Sequence, residues 1–149
     1  MMPLLILEDF FPYHTRLFYR QVSSAVTRVY ETRYGLKPYE WRTMVILGPE
    51  GEFTANEIVT RSSMDKVSVS RAITSLRRRK WILTKANKND GRSRLIRLSS
   101  AGKAAYHDLV PLMLEVEERL LAVYSKEEVA ELRRLMAKLA DQDSTMFVV

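Results

Sequence analysis

Residues 65–98 read DKVSVSRAITSLRRRKWILTKANKNDGRSRLIRL. As far as Lys80 the apolar positions recur every three to four residues. Val69, Ala72, Ile73 and Leu76 therefore fall on one side of a helix running from about Asp65 to Lys80. On the opposite side stand Val67, Arg71, Thr74 and Arg78, flanked by Ser68 and Ser70. Past Trp81 the pattern changes to that of strands. Ile82 to Ala86 and Ser93 to Leu98 are short β-prone runs, and the polar stretch between them carries an Asp90-Gly91 turn signal. A two-faced helix followed by a hairpin is predicted.

Upstream, Thr54-Ala55-Asn56-Glu57 has the form of a capping box, in which the Thr54 and Glu57 side chains satisfy each other's free backbone amides. It opens a very short helix containing Ile58 and Val59, broken by Ser62 and Ser63. Before it, Pro38 precedes a short apolar helix, Trp41 to Leu47, closed by Gly48-Pro49 and Gly51. Further back, Phe11, Phe18, Val22, Ala25 and Val29 share one stripe with His14, predicting a long helix that ends near Tyr34 at a Gly35 stop. Downstream, Ser99 or Ser100 caps a helix striped by Ala101, Ala105, Leu109, Leu112, Val116 and Leu120, with Pro111 inside it. A second capping box, Ser125 to Glu128, starts a last helix whose inner face is Val129, Leu132, Leu135 and Leu139. The fold class is mainly α with a small β-hairpin wing. Residues 35–99 form a winged helix-turn-helix domain, flanked by an N-terminal helix in 1–34 and C-terminal helices in 100–149.

Charge singles out the same stretch. Residues 61–97 hold twelve Lys or Arg against two acidic residues, while the rest of the chain holds twelve against sixteen. A basic patch on a mildly acidic molecule is the footprint of a polyanion-binding surface. A helix-turn-helix offers small polar groups and cations to the major groove of duplex DNA. Here the small side chains of Ser68 and Ser70 let the backbone enter, and Arg71 can make paired bonds to a guanine edge or a phosphate. The hairpin carries Lys85, Lys88, Arg92, Arg94 and Arg97, opposed only by Asp90 at the turn. A wing of this kind can lie along a minor groove, whose negative potential attracts arginine.

Other classes lack their parts. There is no cysteine, so disulfides, thiolate metal sites and thiol redox sensing are excluded. His14 and His107 lie in separate helices with no paired ligand motif, so no metal is expected. No glycine-rich phosphate loop or nucleophile elbow is present, and neither an enzyme nor a cofactor is expected. A short apolar stretch before Glu8 and Asp9 has no basic leader, and no apolar run reaches the roughly 18 residues of a membrane span. A cytoplasmic protein is expected.

These segments together resemble the MarR family of bacterial regulators over nearly the whole chain. Tyr34-Gly35-Leu36 followed by Glu40-Trp41-Arg42 resembles the entry into the family's DNA-binding domain. Asp65 to Arg71 is similar to the start of its recognition helix, and Asp90-Gly91-Arg92 followed by Leu95 to Ser99 to its wing. The resemblance implies a homodimer joined by the terminal helices and splayed over a palindromic operator. It also implies that Arg92 enters the minor groove and that Asp90 buttresses the wing. Two departures stand out. Ser62-Ser63 replaces an apolar residue and a glycine in the helix-turn-helix turn, and Lys80 replaces a glycine after the recognition helix. A non-glycine residue in left-handed backbone costs roughly 1 kcal/mol.

The expectation is a sequence-specific, ligand-responsive repressor. Lys66, Val67, Ser68, Ser70, Arg71 and Thr74 of the recognition helix and Lys88, Arg92 and Arg94 of the wing meet DNA, with Asp90 supporting the wing. The long apolar stripes exceed what a small winged domain can cover, which supports self-association. A twofold dimer would set two recognition helices about 34 Å apart, one turn of DNA. The resemblance further implies a pocket for an aromatic or lipophilic effector, for which His14, Phe18, Trp41 and Arg42 are the candidates. A non-specific architectural DNA protein and a winged-helix protein-interaction module are the alternative readings.

Overall fold

A computed structural model describes residues 3–142. The chain divides into two compact units, Met1–Leu114 and Glu115–Val149. In the first, α1 (Phe11–Tyr34) follows a single 3-10 turn and ends at Gly35, whose φ of 62° lets its N–H turn back to the Glu31 carbonyl at 2.8 Å. Helix α2 spans Pro38–Leu47, three residues longer at its start than the sequence reading gave it. Pro38 sits in the first turn, where its missing N–H costs nothing, and Glu40 reaches back to the Lys37 N–H at 2.7 Å. The Thr54–Glu57 capping box opens α3 (Ala55–Ser62), and Asp65 caps α4 (Lys66–Arg78).

Strands β1 (Ile82–Ala86) and β2 (Arg94–Leu98) pair antiparallel, with Ile82 opposite Leu98 and Ala86 opposite Arg94. Phe53 adds a short third rung by exchanging backbone hydrogen bonds with Ile96 at 3.0 and 2.8 Å. An isolated bridge has no periodicity, so the sequence carried no sign of it. Helix α5 (Ser100–Leu121) is capped by Ser99, whose hydroxyl accepts the Gly102 N–H and donates to the Lys80 carbonyl. A side chain at Gly102 would put its Cβ 2.1 Å from the Trp81 carbonyl, so glycine lets α5 seat against the start of the hairpin. The core joins Leu36, Met44 and Leu47 to Ile58, Val69, Leu76, Ile96, Leu98 and Leu109.

Both departures from the family pattern fall in left-handed backbone, at φ 54° for Ser63 and φ 59° for Lys80. They are the only non-glycine residues with positive φ among those described. At Lys80 the conformation ends α4 two residues earlier than expected. The Lys80 N–H closes onto Arg77 and the Trp81 N–H onto Leu76, which satisfies the last carbonyls of the helix. Beside Ser63, the buried Ser62 hydroxyl accepts the Met64 N–H and reaches the Val59 carbonyl, so the turn supplies its own hydrogen bonds.

In the second unit, Ser125 and Glu128 form the expected capping box of α6 (Lys126–Ala140). No residue of α6 is buried, and Leu135 and Leu139, assigned to an inner face, are about half exposed.

Candidate nucleic-acid interface

The recognition helix begins at a rigid corner. Asp65 accepts the Ser68 N–H at 2.7 Å with one oxygen and the Ser68 hydroxyl at 2.8 Å with the other. These two bonds, the backbone one first, hold the Asp65 carboxyl below the usual carboxylate range. From that start, Val69, Ala72, Ile73 and Leu76 turn inward and are all buried. Lys66, Val67, Ser70, Arg71 and Thr74 remain exposed. Ser68 differs from its neighbours in being half-buried, with its hydroxyl proton committed to Asp65.

Ser70 and Thr74 form a low ridge between two shallow grooves. One, of about 260 Å³, runs toward α3 and is bordered by Asn56, Lys66 and Arg77. The other, of about 320 Å³, runs toward α2 and is bordered by Tyr39, Arg71 and Arg78. Asn56, Tyr39 and Arg77 were not among the residues picked from sequence, because their place beside α4 depends on how α2 and α3 pack.

The wing loop holds itself in shape. Asn87 Oδ1 accepts the Asn89 N–H, Asp90 Oδ1 accepts the Arg92 N–H at 3.0 Å, and Ser93 bonds both Asn87 and the Asp90 carbonyl. The hairpin thus closes through a seven-residue connection, residues 87–93, built from side-chain turns, and Gly91 does not adopt positive φ. Lys88, Asp90, Arg92 and Arg94 are all exposed.

Ion pairing separates two populations of cations. Arg33, Lys37, Arg79, Lys85, Lys103, Arg119, Arg133 and Arg134 each hold a carboxylate. Among the described residues none of Lys66, Arg71, Arg77, Arg78, Lys88, Arg92 or Arg94 does so. Arg16, Arg20 and Arg28 on α1 and Arg42 on α2 also hold no carboxylate among the described residues, but the densest run of such cations lies on α4 and the wing.

Behind this surface lies a polar network that sequence reasoning missed. Glu40, only 2% exposed, accepts the Ser75 hydroxyl from α4 and stands 3.6 Å from Arg79 Nε. Arg79 donates in turn to the Tyr34 and Gly35 carbonyls at the end of α1 and lies over the Trp81 ring. Tyr34 and Arg33 converge on Asp108 of α5, and those bonds, Arg33's foremost, hold the Asp108 carboxyl low. The available signal was a Glu beside Trp41 at the start of a largely apolar helix, since a carboxylate packed there needs partners.

The four effector candidates are not gathered in one place. Trp41 is core, stacked between Tyr30 at 6.0 Å and Tyr106 at 6.1 Å. Burial pushes the Tyr30 hydroxyl up in pKa, against a lowering bond with Thr27. His14 and Phe18 are exposed on α1. At about 1.5 Å per residue, Phe18 lies about 18 Å along that helix from Tyr30, and His14 farther still. Arg42 is exposed on α2. The common apolar stripe made His14 and Phe18 look close to the Trp41 region because sequence shows the face of a helix but not which neighbour each turn meets.

A short support helix, a two-faced second helix and a cationic hairpin define a winged helix-turn-helix DNA-binding protein. Residues 34–93 match the family model described as MarR family. In that segment and in its fold the chain is similar to MarR-family transcriptional regulators. It is 27% identical over 95 residues to the HTH-type transcriptional regulator YwoH of Bacillus subtilis, covering 64% of this chain and 69% of that protein. A probable transcriptional regulator from Pseudomonas aeruginosa is similar at 28% identity, with a TM-score of 0.76 over 90% of this chain and 99% of the other. BpsR of Bordetella bronchiseptica, solved in work on regulation of its DNA binding by 6-hydroxynicotinic acid, shares the fold at 18% identity. Its TM-score is 0.85 over 95% of this chain and all of that one. No helix among the described residues is long and apolar enough to cross a membrane.

Proposed function

We propose that the protein is a ligand-responsive repressor that binds a palindromic operator as a homodimer in the cytoplasm. The observation that carries this reading is the set of cations on α4 and the wing that lack an internal carboxylate. Each is free to displace a counterion from a DNA phosphate, which gives affinity and a steep dependence on salt. In this reading Lys66, Lys88, Arg92 and Arg94 grip the backbone, while Val67, Ser70, Arg71 and Thr74 face base edges. Ser68 orients the start of the helix through Asp65, and Asp90 buttresses the wing through the Arg92 amide.

Residues 1–34 and 100–149 serve as the dimerisation helices. Support comes from apolar side chains that the single chain leaves uncovered: Phe11, Phe18 and Tyr19 on α1, and Leu135, Met136 and Leu139 on α6. Full burial of each such side chain is worth about 1.5–3 kcal/mol. A small aromatic or lipophilic effector is the proposed signal, in keeping with BpsR, whose DNA binding is regulated by 6-hydroxynicotinic acid.

Selection of bound sites from random duplex, with sedimentation of the free protein, tests this. An inverted repeat, a dimer in solution, much weaker binding to scrambled duplex at the same salt, and release by small aromatic acids are expected. Equal affinity for selected and scrambled duplex would indicate an architectural DNA protein. Failure to bind duplex even at low salt, with salt-sensitive binding to an acidic protein, would indicate an interaction module.

A further inference from the structure

Val67 has an exposure that packing does not explain. It is 59% exposed at the second position of α4 and is the only large apolar side chain on the outer side of that helix. A single exposed valine is unremarkable on most surfaces. Its position here is what matters. Val67, Ser70 and Thr74 follow one another at three and four residues, so Val67 shares the helix face of the Ser70–Thr74 ridge and lies nearer the start of the helix. The N-terminal residues of a recognition helix are those that meet base edges in the major groove. The small side chains of Ser70 and Thr74 allow close approach, and Asp65 fixes the start of the helix.

Valine has no polar atom with which to bond a phosphate or a base edge. In the major groove its favourable counterpart is the one large apolar group there, the 5-methyl of thymine. Its β-branch also restricts it to essentially one rotamer in a helix, so little freedom is lost on contact.

We propose that Val67 reads a thymine 5-methyl group in each operator half-site, one helical turn before Arg71, so that part of the sequence preference is apolar. This rests on the DNA-binding reading above. Removing a methyl contact that buries about one carbon's worth of surface corresponds to roughly a fourfold loss of affinity.

The test replaces each thymine of the selected site in turn by deoxyuridine, which removes the methyl and leaves base pairing intact. Wild-type protein should lose affinity about fourfold per replacement at one thymine of each half-site, and little at the others. Val67→Ser, a change on an exposed position, should bind the two duplexes equally, whereas Arg71→Ala should keep the methyl dependence. A selected site without a shared thymine, or a methyl penalty that persists in Val67→Ser, overturns the inference and leaves the DNA-binding reading standing. No preference for any duplex overturns that reading itself.

Discussion

The Glu40 carboxylate in α2 accepts a hydrogen bond from the Ser75 hydroxyl on the inner flank of the recognition helix. Through Arg79 and the Tyr34 and Gly35 carbonyls, the same carboxylate is tied to the end of α1. The outer face of α4 is therefore set from behind by a buried polar junction, and the groove-facing residues inherit their direction from it. Such a junction must be fully satisfied to be stable, and among the described residues no buried side-chain polar atom lacks a partner.

Glu40→Ala leaves the Ser75 hydroxyl and the Lys37 N–H without their acceptor and should destabilise the protein by about 2 kcal/mol. Ser75→Ala removes one donor while Glu40 keeps its other partners, and should cost about 1 kcal/mol. Urea unfolding of both variants measures the difference. Equal, near-zero effects would mean that the junction does not hold α4.

Ser63 and Lys80 occupy left-handed backbone without being glycine. Ser63→Gly and Lys80→Gly should each raise stability by roughly 0.5–1 kcal/mol, the relief of Cβ strain less the extra chain entropy of glycine. Thermal unfolding reads this directly. Destabilisation of both variants would show that the strain is already relieved, at Ser62–Ser63 by the hydroxyl bonds of the turn.

Arg71 and Arg94 should fail differently. Arg71→Ala should cost about 1–3 kcal/mol on the selected operator and relax its sequence preference. Arg94→Ala should weaken every duplex alike and reduce the salt slope by about one unit. Titration on operator and scrambled duplex at several salt concentrations separates the two effects. Identical losses on both duplexes for both variants would remove the distinction between base reading and backbone grip.

Asp65, Glu57 and Asp108 are all held below the usual carboxylate range. Asp65 is held by Ser68, Glu57 first by the Thr54 N–H, and Asp108 first by Arg33. A carboxyl depressed on folding stabilises the native state above its unfolded pKa and loses that contribution as pH falls through the folded value. Stability should thus be level with respect to these groups above about pH 5 and fall below about pH 4. Asp65→Asn keeps a capping side chain without the charge and should flatten part of that acid limb. An unchanged limb would show that Asp65 carries none of it.

The recognition helix, the hairpin and both capping boxes were legible in the sequence because each is a local pattern. Val69, Ala72, Ile73 and Leu76 announce their burial by spacing alone, and Thr54 and Ser125 announce helix starts by the glutamate three residues on. Unpaired cations on α4 and the wing were also foreshadowed, since residues 61–97 hold too few carboxylates to neutralise them locally. Lys85 shows the limit of that argument: its partner Glu52 comes from outside the stretch.

What only the tertiary structure decided are the relations between segments distant in the chain. The Glu40–Ser75 bond spans 35 residues and the Arg33–Asp108 pair 75, and no periodicity encodes such pairings. The burial of Trp41 between Tyr30 and Tyr106, and its distance along α1 from Phe18 and His14, likewise depend on which turn of one helix meets another. Spacing along the chain determines the face of a helix, because backbone geometry is local. The neighbour that face meets is settled by packing the whole domain, where close fit and satisfied polar groups select one arrangement.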